Sequence, residues 1–74
     1  MTSEQSTAFA ANLRRLKDES GLTWLEIGHK LGHRNDRYIL ALASGKFEPR
    51  VVTVNSVARV FGVEPAEMLE TRNA

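Results

Sequence analysis

The chain has no cysteine, only two prolines, one tryptophan and one tyrosine in 74 residues. Without cysteine there are no disulfide staples and no thiolate metal sites, and the composition fits a reducing cytoplasm. No apolar run approaches the roughly 20 residues of a membrane span. The opening MTSEQST has neither the basic region nor the apolar block of a secretion signal. No glycine-rich phosphate loop follows a strand-like run, and the Ser, His and Asp residues form no catalytic pattern. An enzyme is therefore not expected, nor a cofactor or small-molecule ligand. Repeats, linkers and low-complexity segments are also lacking. One small soluble domain over residues 1–74 is expected, ordered from about 7 to 70 with flexible termini. A chain this short buries only about 60 percent of its unfolded surface, so a partner subunit would help it.

What is present is helical patterning. Ser3, Ser6 or Thr7 can cap a first helix that runs to about Ser20 and stops at Gly21. Phe9, Leu13 and Leu16 (i, i+4, i+7) form its buried stripe, and Arg14, Arg15, Lys17, Asp18 and Glu19 its wet side. Thr23 and Glu26 have the spacing of a capping box, with Leu22 as a staple. Ile27 and Leu31 share a face of this second helix, and Gly28, on the same side, lets another helix approach closely; Gly32 permits a sharp turn. Asn35 or Asp36 can cap a third helix whose Ile39 and Leu42 dock back on Ile27 and Leu31 until Gly45 ends it. Phe47 is expected in the core or as a loop anchor. A fourth helix from roughly Val52 to Phe61 carries Val54, Val57, Ala58 and Phe61 on its inner face, with Gly62 as its stop. A short fifth begins at Pro65 with Ala66, Met68 and Leu69, before the polar tail Thr71 to Ala74. The expected fold is all-α, a compact bundle of about five short helices containing a helix-turn-helix.

Gly21-Leu22-Thr23, Glu26-Ile27-Gly28, Lys30-Leu31-Gly32, Ile39, Leu42, Gly45-Lys46, Pro49 and the run Ala58 to Val63 stand in an order that resembles the lambda-repressor-like, or Cro-like, helix-turn-helix family of xenobiotic-response-element type. The resemblance covers roughly residues 9 to 70. It departs at two places: one extra residue falls in the turn at His33-Arg34, and Trp24 stands where a Gln is usual. The apolar third helix, Tyr38 to Ala43, is also similar to the non-catalytic helical domain of cyanases. The first resemblance implies a cytoplasmic, bacterial or phage-encoded transcriptional repressor, a homodimer that binds double-stranded DNA at a palindromic operator. It also implies that the second and third helices make the DNA-binding unit.

Charge agrees with that placement. From His29 to Arg50 five basic residues face two acidic ones, a net of +3 (5 minus 2), whereas the remainder carries −2 (5 minus 7). Arg34, Asn35, Asp36, Arg37 and Tyr38 are the expected base-reading set, because Arg pairs with guanine O6 and N7 and Asn with adenine N6 and N7 in the major groove. Lys30, Lys46, Arg50 and Arg14 are expected phosphate contacts; Trp24 is either a lid over the core edge or another such contact, through its indole N–H. Leu40 or Ala41 can meet a thymine methyl. His29 and His33 are four apart, but Gly32 intervenes and no third ligand is in view, so no metal is expected. Val63, Met68 and Leu69 are either core or dimer surface. The alternative to DNA reading is a protein-interaction or oligomerisation module with Trp24, Tyr38 and Leu40 as its contact patch and a protein partner.

Overall fold

A computed structural model describes residues 1–71; the expected tail beyond Thr71 lies outside them. Five helices and no strand occur among the described residues: α1 (Ser3–Ser20), α2 (Trp24–Lys30), α3 (Arg37–Ala43), α4 (Val51–Phe61) and α5 (Pro65–Met68). None is long and apolar enough to cross a membrane.

The first helix begins earlier than its apolar stripe. Thr2, in extended backbone, accepts a hydrogen bond from the Gln5 N–H at 3.1 Å, and the Gln5 side chain accepts one from the Thr2 N–H at 2.9 Å. The cap is thus Thr2, replacing Ser3, Ser6 and Thr7, and α1 starts well before residue 7. Thr2 and Gln5 have capping-box spacing, which satisfies two orphan amides at once. Gly21 ends α1 with φ of 74°.

The inner faces match the periodicity. Phe9 and Leu13 of α1, Ile27 of α2, Ile39 and Leu42 of α3, Val54, Val57 and Ala58 of α4 and Met68 of α5 form one buried cluster. Leu16, Leu31 and Phe61 pack against it half-buried. The long α1 lies against α3, α4 and α5, while α2 packs on α3. Two expectations change here. Phe47 is 57% exposed, and Pro49, two residues on, is buried instead. Met68 is fully buried, so it has no surface to offer a second subunit; Val63 and Leu69 keep part of theirs.

One buried polar side chain joins the two ends of the fold. Asn12 Nδ2 donates to the carbonyls of Met68 and Glu70, both at 2.9 Å, and of Glu67 at 3.1 Å. They are carbonyls at and just beyond the end of the short α5, which has no further turn to satisfy them. Replacing Asn12 by Ala leaves the buried Met68 carbonyl unpaired, a cost of about 1–2 kcal/mol. Urea denaturation should show that loss as a lower midpoint with an unchanged slope.

Candidate nucleic-acid interface

The α2–turn–α3 unit is held mostly by its own backbone and short polar side chains. Thr23 Oγ1 accepts from the Glu26 N–H, and Glu26 Oε1 accepts from the Thr23 N–H, both at 3.1 Å. Those bonds from Thr23, with help from the Lys30 charge, hold the Glu26 carboxyl below its ordinary range. At the other end of α2, the His33 N–H donates to the Gly28 carbonyl at 2.9 Å and the Gly32 N–H to the His29 carbonyl at 3.0 Å. This is a Schellman closure, and it requires the left-handed backbone of Gly32, with φ of 88°.

Gly28 has the opposite reason to be glycine. A Cβ there would sit 2.7 Å from the backbone oxygen of Asn35, so the end of the turn lies directly on α2. The close approach expected from α3 is made by the two residues before it.

Between Gly32 and α3 the two histidines turn to separate partners. His29 Nε2–H donates to the Arg34 carbonyl at 3.2 Å, and the His33 ring stacks on Tyr38 with centroids 4.9 Å apart. The Tyr38 hydroxyl is 3.0 Å from Thr53 Oγ1 of α4. The first turn of α3 is therefore braced from the loop on one side and from α4 on the other. Asp36 occupies the cap position, but its backbone is not extended and its side chain makes no cap bond. Asn35 does that work: its Oδ1 accepts from the Arg37 N–H at 3.0 Å.

Of the expected base-reading set, Arg34, Asn35, Arg37 and Tyr38 are exposed and Asp36 is half-buried. Neither Arg34 nor Arg37 forms an ion pair among the described residues. Arg50 shares a groove with Tyr38, Ala41 and Phe47, so it stands beside α3. Lys46 is exposed on the loop near the start of α1, sharing a groove with Ser3 and Thr7. Lys30 lies in another groove with Ser56 and Arg59 of α4. Nothing in the sequence marks Arg59, because a lone charge on the outer side of α4 carries no signal.

Two expected phosphate contacts also have partners within the fold. Arg14 Nη1 donates to the carbonyl of Ala43, the last residue of α3, where unsatisfied carbonyls and the helix dipole both favour a cation. Trp24 packs half-buried on the core with Lys17 Nζ 5.5 Å from its ring centre, a placement that covers the core edge. Comparison with family models, curated proteins and solved structures finds no match. The functional reading therefore rests on the chain's own geometry.

Proposed function

We propose that the chain is a sequence-specific double-stranded DNA-binding protein, a small repressor that acts as a dimer on a palindromic site by occlusion. The observation that carries this reading is the display of Arg34 and Arg37 at the start of a helix braced on both sides. An exposed guanidinium on a fixed backbone suits two-bond pairing with guanine, which a mobile charge does not. Arg50 beside α3 and Lys46 on the following loop supply phosphate contacts, and the first amides of α4 have no side-chain cap to compete for them.

Size argues for two copies. Successive major-groove half-sites are about 34–36 Å apart, and the described residues extend 30 Å along their longest axis. One copy of this domain presents a single α3 to a single half-site. Two linked readers also gain avidity that a single domain with a few phosphate contacts lacks. Val63 and Leu69, half-exposed near the C-terminal end, are candidates for the contact between protomers.

Selection from a pool of random duplexes at two salt concentrations tests the proposal. An enriched palindrome whose affinity falls steeply with salt supports it. Lys46→Ala should weaken binding to every sequence and lower the salt slope by about one; an unchanged slope removes Lys46 from the backbone contacts. The competing reading, a protein-contact module, draws on the exposure of Phe47, Val51 and Val52. It predicts no enriched sequence, and a partner whose binding is nearly insensitive to salt.

A further inference from the structure

The outward side of α3 has fewer free hydrogen-bonding groups than its sequence suggests. Ile39, Leu42 and Ala43 are buried, which leaves Arg37, Leu40, Ala41 and Ser44 (i, i+3, i+4, i+7) as the outer stripe. Ser44 Oγ donates to the Ala41 carbonyl at 2.6 Å and accepts from the Lys46 N–H at 3.3 Å. Beside the stripe, the Tyr38 hydroxyl is paired with Thr53. Beyond Arg37, then, the stripe presents an apolar surface whose most prominent member is Leu40, 42% exposed.

Resting on the DNA-binding reading, we infer that Leu40 is a specificity determinant that reads the 5-methyl group of a thymine within two base pairs of the base contacted by Arg37. The thymine methyl is the apolar group that base edges offer in the major groove. Set against a cytosine or adenine amino group, Leu40 strips water from a donor and returns no bond, so those edges are disfavoured. The surrounding charge decides what covers the patch. Arg37 begins this stripe, and Arg50 and Glu48 line a groove with its Ala41. An apolar protein surface leaves two guanidinium groups against one carboxylate, whereas a duplex supplies anions and guanine edges for them.

Helix geometry gives the spacing. Leu40 is three residues beyond Arg37, an advance of about 4.5 Å along the axis at about 1.5 Å per residue. Base pairs are about 3.4 Å apart. The thymine therefore lies one or two base pairs from the guanine that Arg37 reads.

The test uses duplexes enriched from the random pool, resynthesised with deoxyuridine for thymidine at one half-site position at a time, which removes only the methyl group. Wild-type protein should lose about fourfold in affinity at one position per half-site, the amount expected for one buried methyl. L40A should bind the thymine and uracil duplexes equally, and L40M, still apolar, should keep a preference for thymine. Because Leu40 is partly exposed, both variants should melt like wild type. If a sequence is enriched but no uracil position separates wild type from L40A, this inference fails and the DNA-binding reading stands. If no sequence is enriched, both fail.

Discussion

Gly28→Leu is expected to leave the protein largely unfolded at ordinary temperature, and Gly28→Ala to destabilise it by about 1–2 kcal/mol. The two substitutions separate opposing effects. Alanine in place of a glycine within a helix gains about 1 kcal/mol from propensity. Its Cβ, however, would sit 2.7 Å from the Asn35 oxygen and 3.5 Å from the carbonyl carbon. The obstruction is main chain, not the free end of a side chain, so relief requires moving the turn. That movement strains the His33 to Gly28 hydrogen bond and the His29 to Arg34 contact, which fix the turn's geometry. Overpacking therefore outweighs propensity for alanine, and leucine adds three more heavy atoms to the same space. Circular dichroism melts of both variants decide the matter: a melting temperature equal to or above wild type for Gly28→Ala would mean that the turn yields freely.

What could be read from the chain and what could not divides by sequence separation. The Thr23–Glu26 box, the turn at Gly32 and the inner stripes of α1 and α4 depend on neighbours three or four residues away, and each was legible as spacing. The Thr2–Gln5 box is equally local. The first turn of α1 is wholly polar, so apolar periodicity carries no sign that the helix begins there. Asn12 was silent for a different reason, since its partners are 55 to 58 residues away. The same holds for Arg14 and Ala43, 29 apart, and for Tyr38 and Thr53, 15 apart. Each of these side chains looked like a surface group because nothing beside it in sequence reveals its partner. Phe47 and Pro49 show a related failure: hydrophobicity ranks the phenylalanine as the core residue, but the loop's path buries the proline.

These distant bonds share a mechanical consequence for the candidate interface. Arg14 ties the C-terminal end of α3 to α1, while Thr53 ties its first turn to α4 through Tyr38. A seven-residue helix alone is far below the length that persists in water. Packing of Ile39 and Leu42 fixes its inner face, and the two polar ties fix its ends. Base readout depends on such support, because a two-bond contact tolerates little rotation of the helix that carries it.

Arg37→Ala is the second substitution expected to have a large effect, and its result distinguishes base reading from simple charge attraction. In a dimer both half-sites lose the contact. At about 1–3 kcal/mol for each two-bond pair, roughly additive between half-sites, the loss on an enriched palindrome is about 2–6 kcal/mol. On scrambled DNA the loss should be much smaller. Folding should be spared, because Arg37 is exposed and the cap bond at this position uses its backbone N–H, which alanine retains. On the proposed reading the same variant should also accept other bases at the position assigned to guanine, so repeating the selection with Arg37→Ala should flatten one step of each half-site. Equal losses on enriched and scrambled duplexes would make Arg37 a phosphate contact and leave Arg34, on the preceding turn, as the guanidinium available to read a base.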